Sequence, residues 1–247
     1  MPHSDDAFDH DPATGHPRPA RREFKARGSF VERCPGCNLP VLNCLCPFKT
    51  TAQSEAEVWL ITHPLEHLKP TNTGRLIVDV LPASKVFTWY RTAPDDTLLA
   101  LLNDERYAPF VIFPDDQPDY ADRVVGGEAV EEAKREGKTP VYILLDGTWR
   151  QARRIFRKSA YLDSLPVLPL HTTRETRYRL RKPASKAHLC TAEVAVELLR
   201  AGGDTTAAEV LDDYFDAFNE SYAASRFYAK IDSPSPAMQR LLDRQKA

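Results

Sequence analysis

Five short apolar runs punctuate the chain, at Val58–Thr62, Val86–Tyr90, Phe110–Phe113, Val141–Leu145 and Leu165–Leu170, and most are apolar at nearly every position. That pattern predicts strands covered on both faces, because a strand with one wet side would alternate. Between them, apolar residues follow a helical period over Gly74–Leu81, Thr97–Asn103, Arg123–Glu136 and Trp149–Lys158. Beyond residue 187 the chain reads as helix, Leu189–Arg200 and then Thr206–Lys230, broken by Gly202-Gly203. The alternation predicts an α/β fold: a mostly parallel sheet with helices on both faces, and a helical C-terminus. Residues 1–33 show no hydrophobic period and are expected to form a flexible N-terminal tail. A cysteine-rich module is expected over 34–50, the main domain over 51–231 and a C-terminal tail over 232–247.

Composition narrows the class. With 247 residues, 42% of them hydrophobic, the chain can build a real core, which excludes a wholly disordered protein. No apolar run approaches the roughly 20 residues that span a bilayer, so no membrane partner is expected. The acidic start (Asp5, Asp6, Asp9, Asp11) has neither the basic nor the apolar region of a signal peptide, and a cytoplasmic location is expected. The formal net charge of −2 hides an asymmetry: residues 146–186 hold eleven Lys and Arg against three acids, leaving 22 against 32 elsewhere. Concentrated this way, the positive charge points to one anionic partner at one place.

Four of the five cysteines, Cys34, Cys37, Cys44 and Cys46, are spaced C-x2-C-x6-C-x-C. In a cytosolic protein such clustering points to a metal ahead of redox-active or incidental thiols, and four thiolates suit tetrahedral Zn²⁺. An all-cysteine set leaves no open coordination position, so the zinc would be structural. Cys190 stands alone and reads as a small core residue.

The run Val141–Asp146 leads through Gly147-Thr148 into a helix, with Thr148 and Gln151 at capping-box spacing. The plain reading is a well-capped strand-to-helix turn. The sharper one is that strand carboxyl ends in open parallel sheets are where ligands bind, so Asp146 is a candidate working group. Trp149, Ala152 and Phe156 have core spacing on the helix that follows, and Arg150, Arg153, Arg154 and Arg157 form one stripe. Like charges at that spacing repel, so local stability gives no reason to collect them; phosphate binding does. A second basic cluster includes Arg174, Arg177, Arg179, Arg181, Lys182 and Lys186, with Arg177 to Arg181 alternating as an extended segment would.

Several pieces together resemble the DTW-domain family of tRNA-uridine aminocarboxypropyltransferases. They are the cysteine cluster, His63-Pro64-x-Glu66, Asn72-Thr73-Gly74-Arg75-Leu76, Phe113-Pro114, Asp146-Gly-Thr148-Trp149-x-x-Ala152, Arg177-Tyr-Arg179 and Thr191-x-Glu193. The resemblance covers roughly residues 34–200. It implies a catalytic domain that transfers the 3-amino-3-carboxypropyl group of S-adenosylmethionine to N3 of a uridine in tRNA and releases methylthioadenosine. It also implies a SPOUT-like sheet with a knot, and nothing in it implies a protein partner. With it come expected cofactor contacts at Asn72, Thr73, Phe113, Pro114, Leu144, Leu145, Trp149, Thr191 and Glu193 and catalysis at Asp146, while the basic clusters put RNA contacts at Arg150, Arg153, Arg154, Arg157, Arg177, Arg179, Arg181 and Lys182.

Asp146 would take the N3 proton or position the uridine or the cofactor's amino group. Trp149 would line the pocket or anchor the basic helix in the core, Thr73 would cap the Gly74–Leu81 helix, and Glu193 would bind cofactor or favour its helix N-terminus. For His63 a structural role is the default. Two other functions use the same residues: an RNA methyltransferase on the same scaffold, and a non-catalytic zinc-containing RNA-binding protein.

Overall fold

The computed structural model describes residues 31–178, 180 and 188–246, and a compact unit begins at Arg33. The expected tail over residues 1–30, and Arg179, Arg181, Lys182 and Lys186, lie outside the described residues.

Five strands form one sheet: β1 (Glu57–Thr62), β2 (Lys85–Thr88), β3 (Tyr107–Ile112), β4 (Thr139–Asp146) and β5 (Val167–Leu168). Their order is β2-β1-β4-β3-β5, and every pairing is parallel. Among the described residues seven α-helices accompany them: α1 (Gly74–Val80), α2 (Asp96–Leu102), α3 (Gly127–Arg135), α4 (Trp149–Lys158), α5 (Thr191–Ala201), α6 (Thr205–Arg226) and α7 (Pro236–Arg244). Strand side chains alternate between two cores. Val58, Leu60, Phe110, Tyr142 and Leu144 pack with residues of α1, α3, α5, α6 and α7. Trp59, Ile61, Val111, Val141 and Ile143 pack with α2 and α4. Both faces are therefore covered, which is why β1 and β4 read as unbroken apolar runs.

Three elements differ from expectation. β5 holds only Val167–Leu168 of the apolar run Leu165–Leu170, because Pro166 and Pro169, which bracket it, have no N–H to give a ladder. The helix expected from Arg123 begins at Gly127; before it, Val124 pairs with Val167 and the Val125 N–H donates to the Val167 carbonyl. Residues read as a C-terminal tail contain α7. Its start is signalled by Ser235, whose hydroxyl accepts from the Met238 N–H, and by Pro236 in the first turn. Met238 and Leu241 are buried among the α6 residues.

Candidate active site

The site grows from the carboxyl end of the central strand β4. After Asp146 the chain must turn at once into α4, and Thr148 and Gln151 make this possible as a complete capping box. The Gln151 side chain accepts from the Thr148 N–H at 2.7 Å, and the Thr148 hydroxyl accepts from the Gln151 N–H at 3.4 Å. Gly147 leaves the room this needs, since a Cβ there would lie 2.9 Å from the Gln151 Cβ. Asp146 itself is buried. Its Oδ2 accepts from Asn72 Nδ2 at 2.7 Å, and its Oδ1 accepts from the Thr191 hydroxyl at 2.7 Å. Three segments far apart in sequence thus orient one carboxylate. Gly74, the first residue of α1, is part of the fit: a Cβ there would stand 3.0 Å from Asp146 Oδ2.

Around Asp146 opens a cavity of about 700 Å³ on the carboxyl edge of the sheet, within the roughly 300–1,000 Å³ usual for small-molecule sites. Of the nine residues expected to touch a cofactor, eight line it: Asn72, Thr73, Phe113, Pro114, Leu144, Leu145, Trp149 and Thr191. The ninth, Glu193, does not. It is fully buried, accepting from the Thr176 hydroxyl and the Arg177 N–H, each at 2.6 Å, and from the Cys190 N–H at 2.9 Å. Its carboxylate therefore shapes the wall formed by the segment around Thr176. Sequence reasoning missed that wall: Leu170, Thr172, Thr176, Tyr178 and His188 also line the cavity. Only Tyr178 falls in a sequence motif, Arg177-Tyr-Arg179; Leu170, Thr172 and Thr176 lie in a segment that is neither helix nor strand.

Other expectations need correcting. Thr73 stands at the N-cap position of α1, but its side chain makes no capping hydrogen bond. Asn72 Oδ1 accepts from the Arg75 N–H at 3.0 Å, while the Thr73 hydroxyl accepts from Ala192 N at 3.4 Å. Trp149 is not a core anchor: it is 42% exposed, stacked on Phe113 at 5.4 Å and facing His188 at 6.0 Å. Ile155, with Ala152 and Phe156, takes the core positions of α4. Burial pushes the Cys190 thiol up, which leaves it protonated and unsuited to attack. Burial also lowers the His63 imidazole, partly opposed by Glu66, so it is neutral at pH 7.

The two basic clusters behave differently. On α4, Arg150, Arg153, Arg154 and Arg157 are exposed; Arg157 approaches Asp119 at 4.0 Å, and Arg154 lies over the Trp89 ring at 5.8 Å. Arg177, in contrast, is held by Asp216 at 2.6 Å and by Asp212. Arg174 pairs with Glu197 at 2.9 Å and Asp212 at 2.6 Å. These ions fasten the cavity wall to α5 and α6, so the exposed basic stripe lies on α4.

The four cysteine sulfurs lie within 4.8 Å of one another. Cys34 and Cys46 approach to 3.6 Å and Cys37 and Cys44 to 3.7 Å, close to the about 3.8 Å edge of a tetrahedron with 2.3 Å metal–sulfur bonds. A Cβ at Gly36 would stand 2.9 Å from the Cys46 sulfur, and Asn38 takes the left-handed conformation (φ 59°) that closes the turn. The Cys37 N–H, followed by the Cys44 thiol and the Gly36 N–H, lowers Cys34 to about 6, toward the thiolate that a metal requires. The cluster can hold a metal ion. It is also tied to the site, because Arg75 of α1 donates to the Gly36 carbonyl at 2.9 Å.

A covered parallel sheet with an oriented carboxylate in a cavity at its carboxyl edge, and a four-cysteine module linked to it through Arg75, defines an α/β protein. Residues 31–223 match the DTW domain, and the chain belongs to the DTW domain family. Over 176 residues it is 27% identical to tRNA-uridine aminocarboxypropyltransferase 2 of Mus musculus, a match covering 67% of this chain and 55% of the mouse protein. The Macaca fascicularis protein of the same name is 26% identical over the same shares. The chain thus spans about half the length of these relatives. No solved structure matches it. Among the described residues, no helix is long and apolar enough to cross a membrane.

Proposed function

We propose that this protein transfers the 3-amino-3-carboxypropyl group of S-adenosylmethionine to N3 of a uridine in tRNA. The observation that carries the reading is the buried Asp146 carboxylate, oriented by Asn72 and Thr191 in a cavity large enough for a nucleoside-sized ligand. The lining fits such a cosubstrate: Leu144, Leu145, Phe113 and Trp149 offer apolar surface, while Asn72, Thr73 and Thr191 offer polar groups. When bound, S-adenosylmethionine supplies an alkyl carbon made electrophilic by its sulfonium and leaves as methylthioadenosine. Asp146 accepts the uridine N3 proton as N3 turns nucleophilic. The apolar walls keep water from the reacting groups. The Trp149 face favours a nearby cation. Arg150, Arg153, Arg154 and Arg157 hold the RNA phosphates beside the turn that carries Asp146. Zn²⁺ on Cys34, Cys37, Cys44 and Cys46 is structural, and the knot implied by the family resemblance is part of the same reading.

The test is mass spectrometry of the products formed from S-adenosylmethionine and tRNA lacking the modification. Methylthioadenosine together with aminocarboxypropyl-uridine is the expected result. Release of S-adenosylhomocysteine would establish a methyltransferase instead, and no product from either route would leave a binding protein.

The α4 stripe carries a second prediction. Changing Arg153 and Arg154 to Ala removes two phosphate contacts, and each contact contributes about 0.7–0.9 to the slope of log affinity against log salt. The slope should therefore fall by about 1.4–1.8, KM for tRNA should rise, and kcat at saturating tRNA should hold. An unchanged slope in fluorescence-anisotropy titrations would remove α4 from the RNA face.

A further inference from the structure

The N3–H of uridine is the donor of its Watson–Crick edge, so a uridine that reacts there cannot be paired. A protein acting on it meets an RNA loop, whose neighbouring bases are unstacked and offer exposed π-faces. The surface next to Asp146 has the features such a loop requires. Between β1 and α1, residues 63–72 fold into three successive turns. Glu66 N donates to the His63 carbonyl at 2.8 Å, Lys69 N to the Glu66 carbonyl at 3.0 Å, and Asn72 N to the Lys69 carbonyl at 2.9 Å. That repeat of three turns Leu65 and Leu68 outward, 48% and 53% exposed, and Tyr90, just past β2, is 55% exposed.

The loop that carries the two leucines touches the end of β2, two residues before Tyr90: His67 Nε2 meets the Thr88 hydroxyl at 3.1 Å. The His63 ring packs on Trp89 at 6.1 Å, and Arg154 of α4 covers the same Trp89 at 5.8 Å. The face adjoins the reacting edge, since the His63 N–H donates to the Asp146 carbonyl at 3.0 Å. Arg91, Arg153 and Arg154 are exposed, whereas Glu66, the acid of the loop, is buried and paired with Lys69. Protein docking cores are depleted in charge. Exposed apolar and aromatic groups interleaved with cations match single-stranded nucleic acid, whose bases stack while its phosphates pair.

We infer that the face built by Leu65, Leu68 and Tyr90, bordered by Arg91, Arg153 and Arg154, binds the unpaired RNA loop that carries the acceptor uridine. This rests on the proposed transferase reading for the identity of the base, while its recognition by stacking is a separate property of the face.

The test compares affinities, without S-adenosylmethionine, for an RNA hairpin with a uridine in its loop and for a fully paired RNA duplex. Stacking on one aromatic is worth roughly 1–3 kcal/mol per base by alanine substitution, so Tyr90→Ala should weaken hairpin binding about 5- to 150-fold. Tyr90→Phe, which keeps the ring, should retain it, and Leu65→Ser with Leu68→Ser should act as Tyr90→Ala does. Duplex affinity and the salt slope should stay put in all three. If hairpin and duplex weaken equally, or hairpin affinity does not change, the proposal fails. If RNA affinity holds while a concentration-dependent self-association is lost in sedimentation, the face is a protein contact and the proposal also fails. Hairpin discrimination without any product in the transfer assay would sink the transferase reading and leave this one standing.

Discussion

Asp146→Asn is expected to lower kcat for aminocarboxypropyl transfer by about 10²–10⁴-fold, the usual weight of a general base, with little change in S-adenosylmethionine affinity. The substitution keeps shape and removes charge, but it is not silent in structure. Thr191 can still donate to an amide oxygen, yet Asn72 Nδ2 would then face a second NH2 group where it now finds Oδ2. Rotating the Asn72 amide would cure that contact and cost the α1 cap, since Asn72 Oδ1 already accepts from the Arg75 N–H. Either outcome costs about 1–3 kcal/mol. The control is the reciprocal exchange, Asn72→Asp with Asp146→Asn. A carboxylate at position 72 can accept both from the Arg75 N–H and from the new amide at position 146, so stability should recover. Activity should not, because the carboxylate is then displaced by about one hydrogen bond and engaged by the Arg75 N–H and the new amide. Recovery of kcat along with the melting temperature would show that Asp146 acts through stability, and the proton-acceptor role would fall.

The parts of the site visible in the sequence are those encoded by local rules. The Thr148–Gln151 capping box depends on three residues of spacing, and the cysteine cluster on thirteen residues of chain. Strand burial was visible because β1 and β4 are covered on both sides and carry no polar alternation. What stayed hidden depends on distant partners. The excess of arginine around 174–177 counts as positive charge only until Glu197, Asp212 and Asp216, carried by α5 and α6, close on it. Helical spacing left Trp149 open between the pocket and the core; at the first turn of α4 it is exposed and lines the cavity, and Ile155 takes the core position. Glu193 was legible as a helix-start acid, and that is its nearest role; its other two bonds reach back to Thr176 and Arg177. Helix α7 carries a local start signal, Ser235 as N-cap followed by Pro236, inside a stretch that otherwise reads as a Pro-rich tail.

Removing the metal should produce the largest loss of stability. The cysteine module is not an appendage: Cys37, Leu39 and Leu45 are buried in the same core as α1, α6 and α7. Asn43 donates to Ser225 at 3.0 Å and to the Ala229 carbonyl at 2.8 Å, and it accepts from the Ile231 N–H at 2.9 Å. Gln245, just past α7, donates to the Pro47 and Lys49 carbonyls at 3.1 and 3.0 Å. Zinc binding in finger peptides is worth about 10–16 kcal/mol, and a domain with its own core should lose a fraction of that. At about 2–4 °C per kcal/mol for a domain of this size, a loss of some 4 kcal/mol lowers the melting midpoint by roughly 10 °C. Chelation or Cys37→Ser should give that drop, and zinc should reverse the first and not the second. Cys190→Ser, outside the cluster, should keep one zinc per chain by elemental analysis. Because Arg75 links the module to α1 through the Gly36 carbonyl, the apo protein should also bind S-adenosylmethionine more weakly. An unchanged midpoint in a metal-free protein, with all five thiols still titratable, would show that the four cysteines hold their geometry without a metal and that the structural zinc assignment is wrong.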